Sequence, residues 1–173
     1  MVRRIYQGRI VDLRLERVTL PNGSVTELEL VHHPGAACVV PANDAGEVLL
    51  IRQYRHAVGS EIWELPAGLL HEGEEPADCA ARELTEETGF TAERLMALGA
   101  IVPTPGYSDE RIHLFLAEEL RAGRQAPEDD EVIVEQRWVP WPEALRMVAS
   151  GAIEDGKSIA GLHRAAVHLG RLQ

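Results

Sequence analysis

Apolar and polar residues alternate along residues 9–20, with Leu13, Leu15 and Leu20 marking the apolar positions, and again along 25–32, through Leu28 and Leu30. A period of two predicts strands with one solvated face. Pro21-Asn22-Gly23-Ser24 separates the runs, and Asn-Gly supplies the positive φ of a tight turn. His33-Pro34-Gly35 then breaks the chain. The pattern thus predicts an antiparallel β-hairpin extension over 1–35, ahead of a main domain over 36–173.

Within the main domain, strands are expected at 36–40 and 47–54, turning through Asn43-Asp44-Ala45-Gly46, with a shorter one from Glu61 to Leu65. Pro66-Ala67-Gly68 ends that strand and opens an acidic loop, 68–75. Pro76 suits the first turn of a helix and Gly89 its C′ position, so 76–88 reads as helix, with Ala77, Ala80, Ala81 and Leu84 as its packing face. Strands follow near 95–102, 111–117 and 132–139, with a polar loop at 121–130. Helices near 142–150 and 158–171 close the chain. Strands mixed with separated helices indicate an α/β (α+β) layered domain.

Composition narrows the class. The chain of 173 residues has 45% hydrophobic and 26% charged residues, which excludes disorder. Its formal net charge of −11 argues against a nucleic-acid partner. No apolar run is long enough to span a bilayer, and the start MVRRIYQGR lacks the apolar core of a secretory signal. Cys38 and Cys79 lack metal-site spacing and read as buried reduced thiols, which suits the cytoplasm.

The acids are clumped. Residues 72–87 carry seven of them against Arg82 alone, and 118–135 carry another seven against Arg121 and Arg124. In the first clump, Glu83, Glu86 and Glu87 fall at i, i+3 and i+4, on one helix face. Like charges so spaced repel. A divalent cation reverses that sign, and carboxylate oxygens are what Mg²⁺ prefers. A solvated acidic face is the plain alternative.

The loop before this helix adds a second pattern. Gly68, five residues, Glu74, seven residues, then Arg82-Glu83-Leu84, Glu86-Glu87 and Gly89-Phe90 fill nine specified positions across 23 residues. That pattern resembles the complete signature box of the Nudix hydrolase family. The resemblance implies an α/β/α sandwich around a mixed sheet. It also implies hydrolysis of a nucleoside diphosphate linked to a further moiety, dependent on Mg²⁺ or Mn²⁺. It makes Glu83 and Glu87 metal ligands, Glu86 a ligand or part of the water network, and the Ala67 carbonyl a further ligand. Gly68 lets backbone approach the metal, and Glu74, Arg82 and Gly89 hold the loop–helix geometry.

Three features outside the box resemble the ADP-ribose pyrophosphatase branch. They are His33-Pro34-Gly35-Ala36-Ala37, then Arg52-Gln53-Tyr54-Arg55 ahead of Trp63-Glu64-Leu65-Pro66-Ala67-Gly68, and Pro103 to Glu110, which sets Pro105 sixteen residues past Gly89. ADP-ribose cleaved to AMP and ribose 5-phosphate is the implied reaction. Tyr107 stands where that branch often has Phe and is shared with diadenosine-polyphosphate hydrolases. Another nucleotide sugar such as GDP-mannose, or a non-catalytic ADP-ribose sensor, are the other readings. Against the sensor stands the intact glutamate set, which a pure binder does not need.

Arg52, Arg55, Glu64, Pro105 and Gly106 are the expected substrate contacts. On an alternating strand Arg52 and Arg55 face opposite ways, and Arg55, nearer the loop, is the choice for the site. Trp63, Trp138 and Trp141 are expected in packing, and none of the seven histidines is assigned chemistry. By resemblance the chain is a homodimer joined through the N-terminal strands. Likewise the general base is expected on the loop 121–130 and the residues after it, at Glu131 or Asp129, with Glu86 the alternative.

Overall fold

The computed structural model describes residues 1–126 and 132–172. Strands β1 (Val2–Gln7), β2 (Asp12–Thr19) and β3 (Val25–His32) form a three-stranded antiparallel sheet in that order. The expected hairpin is its β2–β3 half. The structure adds β1, and residues 9–11 lie in a bend instead of in a strand. Every residue of β1 is exposed, so no buried face imprints the alternation that marks a strand in sequence.

The next strands are β4 (Ala36–Pro41), β5 (Glu47–Arg55), β6 (Ser60–Glu64) and β7 (Ala67–Leu69). After helix α1 (Pro76–Glu83) come β8 (Phe90–Ile101), β9 (Ile112–Ala122) and β10 (Ile133–Pro140), then helices α2 (Trp141–Ser150) and α3 (Gly156–His168). Four strands form a mixed sheet in the order β7-β4-β9-β8, with β4 and β9 parallel and the other pairs antiparallel. Strands β10-β5-β6 form a separate antiparallel sheet.

Alternation in β4 feeds two cores. Cys38 and Val40 face Leu114, Leu116, Leu162 and Ala165, on the α3 side. Ala37 and Val39 face Phe115, Ala117, Cys79, Ala80 and Leu84, on the α1 side. Burial on both faces explains why β4 reads as a continuous apolar run. Each fully buried aliphatic side chain contributes about 1.5–3 kcal/mol. Trp141 is buried, Trp63 packs against the α3-side core, and Trp138 meets Phe90 edge-on.

Several expected elements are corrected. Residues 67–69 form a short strand that overlaps the start of the loop expected at 68–75, paired with β4 at Ala36↔Leu69 and Cys38↔Ala67. β8 starts at Phe90 and not near 95, and β9 runs on to Ala122, because these ends carry solvent-facing charges paired across the strands: Arg94–Glu118 at 2.7 Å and Arg121–Glu93. Part of the second acidic clump is thus neutralised within a sheet. Residues 76–88 are helical, but Leu84–Thr88 form a π turn, where Thr85 Oγ1 donates to the Ala81 carbonyl at 2.9 Å and Thr88 Oγ1 to that of Leu84. Gly89 ends the helix at φ +78°. The packing face is Cys79, Ala80 and Leu84, whereas Ala77 and Ala81 are exposed. No helix among the described residues is long and apolar enough to cross a membrane.

Candidate active site

The loop between β7 and α1 is tied to the helix by one guanidinium. Arg82 donates from Nε to Glu74 Oε1 at 2.9 Å and from Nη2 to Glu74 Oε2 at 3.0 Å. Its Nη2 also reaches the Leu69 carbonyl at 3.0 Å. A charged fork against a carboxylate is among the stronger hydrogen bonds. Helped by the His71 N–H, it lowers the Glu74 carboxyl to about 2. From Nη1, Arg82 donates to Glu83 Oε1 at 2.5 Å and to Glu86 Oε2 at 3.0 Å. The repulsion among the glutamates is therefore answered in part by an internal cation.

Glu83 and Glu87 turn inward, at 6% and 0% exposure, while the Glu86 side chain remains 32% exposed. Glu87 Oε2 accepts the Ala67 N–H at 2.8 Å, and the Glu87 carbonyl accepts from the side-chain amides of Gln125 and Gln136. Gly68 is the residue that permits this approach. A Cβ there would lie 1.9 Å from Glu83 Oε1 and 2.2 Å from its Cδ. Two carboxylates are thus pressed against the Ala67-Gly68 backbone. Among the described residues no group of three or more acids, histidines or cysteines is already gathered as a metal cage. The donors present are nonetheless all oxygen, and the glycine cradle holds Glu83 against backbone. Both fit a hard divalent cation.

Ala67, Gly68 and Glu83 wall a cavity of about 900 Å³. Arg55, Gln53 and Lys157 line it too. Arg55 forks Glu64, from Nε to Oε1 at 2.9 Å and from Nη2 to Oε2 at 2.6 Å. Arg52 does not line the cavity. It faces Glu61 at 3.3 Å and Glu135 at 4.0 Å, beside the Trp63 ring, as strand alternation requires. Pro105 and Gly106 do not line it either. They occupy an exposed turn closed by N–H groups of Tyr107 and Ser108 on the Thr104 carbonyl, and the same loop reaches the cavity through Glu110. Asp129 and Glu131 lie outside the described residues.

One histidine has a structural role that the sequence did not reveal. His32 Nδ1 is 2.6 Å from Asp109 Oδ2 and its Nε2 is 2.8 Å from Glu16 Oε1, so it ties β2 and β3 to the loop before β9. Glu16, then Asp109, raise its pKa. Their positions 16 and 109 give no local spacing to detect. Both cysteines are buried, as expected, and burial pushes the Cys79 thiol up to about 12 and raises that of Cys38. Lys157, Gln53 and Glu110 were missed. The first had a legible signal, since Asp155 caps α3 through the Ser158 N–H at 2.9 Å, which sets the helix start before Lys157.

Comparison with known proteins decides the family. A model of the NUDIX domain matches residues 31–162. The chain belongs to the Nudix hydrolase family. An ADP-ribose pyrophosphatase of Bacillus subtilis is 42% identical over 89% of this chain and 84% of that protein. One of Mycobacterium tuberculosis is 40% identical over 95% of this chain and 79% of that protein. These relatives support both the branch resemblance and the reading as an enzyme. A GDP-mannose pyrophosphatase of Yersinia enterocolitica is 34% identical over 78% and 74%. A crystal structure of an ADP compounds hydrolase superposes with a TM-score of 0.84 at 22% identity, covering 99% of this chain and 95% of that one. That likeness carries the fold. The mixed sheet between α1 and α3 is the sandwich that the Nudix box implied.

Proposed function

We propose that this Nudix enzyme hydrolyses the pyrophosphate bond of ADP-ribose, giving AMP and ribose 5-phosphate, with Mg²⁺ or Mn²⁺ as cofactor. The observation that carries the reading is the seating of the buried Glu83 and Glu87 carboxylates against the Ala67-Gly68 backbone, with Glu83, Ala67 and Gly68 on the wall of a cavity that Arg55 and Lys157 also line. Glu83, Glu87, Glu86 and the Ala67 carbonyl would hold the metal, which when bound offsets diphosphate charge and acidifies water. Gly68 provides the close approach, Glu74 and Arg82 hold the loop on the helix, and Gly89 ends it. Arg55, held by Glu64, receives substrate oxygens, because a guanidinium fork matches phosphate geometry. Glu131 or Asp129 supplies the base that takes the proton of attacking water, with Glu86 the alternative. Arg52, Pro105 and Gly106 keep a role only beyond the cavity described.

The size of the cavity suits a nucleotide sugar. GDP-mannose is the second reading, favoured by the Yersinia relatives. Initial rates with Mg²⁺ on ADP-ribose, GDP-mannose, NADH and a diadenosine polyphosphate separate these. The highest kcat/KM is expected for ADP-ribose, and a higher value for any other would replace the assignment.

Residues 1–35 are proposed as a dimerisation element on the domain at 36–173, since Val2, Ile5 and Tyr6 of β1 are large, apolar and exposed. Light scattering is expected to give a homodimer at assay concentration; a monomer would refute it. The proposed setting is the cytoplasm, where Cys38 and Cys79 remain reduced.

A further inference from the structure

Beside the glutamates lies a second cluster of charge that the reading above uses only at its rim. Lys157 Nζ donates to Glu64 Oε2 at 2.9 Å and to Asp155 Oδ2 at 3.0 Å. Glu64 Oε2 also takes Arg55 Nη2, so one oxygen joins two cations. Asp155 in turn accepts from Ser158 N and Oγ, and Ser158 Oγ takes the Leu65 N–H at 2.7 Å. The chain of contacts runs from Arg55 on β5, through Glu64 on β6, to the first turn of α3. It holds two cations and two anions.

Lys157 is a costly choice at its position. It stands in the first helical turn, where the macrodipole disfavours positive charge. Its side chain is only 13% exposed, and Glu64 is 2% exposed. Burial lowers the affinity of such an amine for its proton, yet Glu64 and Asp155 outweigh that and keep it charged. Where only packing is required, an apolar side chain replaces a buried ion pair at little or no loss of stability.

The surroundings point to a ligand. Lys157 and Arg55 line the same cavity as Gln53, which is 2% exposed, and Gln53 Oε1 has no hydrogen-bond partner among the described residues. Gln53 and Arg55 are two apart on one strand, on one face. A buried acceptor without a donor is unfavourable unless a ligand provides one. Arg55 remains 37% exposed, with Nε and Nη2 engaged by Glu64, which leaves Nη1 outside that fork.

We propose that Lys157 is a positioning residue of the substrate site: it anchors Glu64, and through Glu64 it fixes the Arg55 guanidinium as the group that receives the anionic diphosphate of the nucleotide. The inference rests on the reading of this cavity as the ADP-ribose site. Without Lys157 the cluster changes from neutral to one net negative charge beside an already acidic site. The anionic substrate is weakened, while binding of a cation is not.

Lys157→Met, Lys157→Gln and Lys157→Arg test this. Steady-state kinetics with ADP-ribose and Mg²⁺ are read together with calorimetric binding of ADP-ribose in EDTA and with thermal melts. Met and Gln are expected to raise KM by about fivefold or more with kcat within about threefold, the sign of lost binding common to ground and transition states. The calorimetric Kd is expected to weaken in parallel, and the Mg²⁺ half-saturation not to rise. Arg, which keeps the charge, recovers most of the affinity. A folded Met or Gln variant with KM and Kd within twofold of wild type would overturn the proposal. So would unfolding of both with Arg fully active, which makes Lys157 a structural residue only. A wild-type protein that neither hydrolyses nor binds ADP-ribose would instead remove the functional reading beneath it.

Discussion

Adding a single methyl group at Gly68 probes the seating of the glutamates. The new Cβ would meet Glu83 Oε1 at 1.9 Å, Cδ at 2.2 Å and Oε2 at 2.6 Å. Ordinary contact starts near 3.4 Å, so the carboxylate must withdraw by about 1.5 Å. A free side-chain tip would do this cheaply. Glu83 is 6% exposed and held by Arg82, so its withdrawal disturbs the Arg82 fork on Glu74 as well. Misplacing a reacting constellation by 1 Å costs about 10²-fold in rate. Gly68→Ala is therefore expected to lower kcat on ADP-ribose by about 10²-fold or more. Overpacking costs roughly 1–3 kcal/mol, and a domain of this size then loses about 2–12 °C in Tm. The two assays are initial rates at saturating ADP-ribose and Mg²⁺, and a thermal melt. A folded Gly68→Ala enzyme within threefold of wild-type kcat would refute the seating of Glu83 on this backbone as the active geometry.

Glu131→Gln or Asp129→Asn should cut kcat by about 10² or more with little change in ADP-ribose Kd; if both and the double variant stay within threefold, Glu86 becomes the favoured base. His32 has a folded pKa raised above its ordinary 6.5 by Glu16 and then Asp109, so its stabilising effect is full below 6.5 and lost as pH climbs through the raised value. The Tm gap between wild type and His32→Gln is therefore expected to be widest near pH 6 and to narrow by pH 9, and a gap that widens instead would contradict this ion-paired geometry. Cys79, with its thiol pushed up to about 12 by burial, should resist alkylation at pH 8 in the folded protein and react once it is unfolded; rapid labelling under native conditions would show that the wall behind Gly68 opens.

The sequence was legible where a local rule governs. The Gly89 stop, the Pro76 start and the β2–β3 hairpin followed from turn chemistry, and the structure has each of them, although Leu28, expected on the apolar face, is exposed. The spacing of Glu83, Glu86 and Glu87 set the acids on one short helical stretch, but the structure turns Glu83 and Glu87 inward and leaves Glu86 partly exposed, and local spacing does not reveal that difference. Legibility failed where the deciding partner is remote. β1 has no buried face, so its strand exists only through pairing with β2. The π turn leaves the pattern of apolar residues almost unchanged, and the hydroxyls of Thr85 and Thr88 reveal it only through their bonds to carbonyls four residues back.

The same division holds in the site. Strand alternation set Arg52 and Arg55 on opposite faces and nearness to the loop singled out Arg55, and in the structure Arg55 lines the cavity while Arg52 faces Glu61. Lys157 meets Glu64 across 93 residues of sequence, and His32 meets Asp109 across 77, so neither contact has a local spacing to read. Pro105 and Gly106 were chosen by resemblance, and their turn stands away from the cavity walls. A lysine in the first turn of α3 runs against the helix dipole, and such local conflicts mark functional positions more often than packing ones.

Product analysis on ADP-ribose bears most directly on the proposed chemistry, run with wild type and with Glu83→Gln in Mg²⁺ and again in EDTA. Wild type in Mg²⁺ should release AMP and ribose 5-phosphate in equal amounts. EDTA should abolish the reaction, and Glu83→Gln, folded by its melt, should lose about 10²-fold or more in kcat. Equal turnover in EDTA, or wild-type turnover by Glu83→Gln, would contradict metal-dependent hydrolysis at this site.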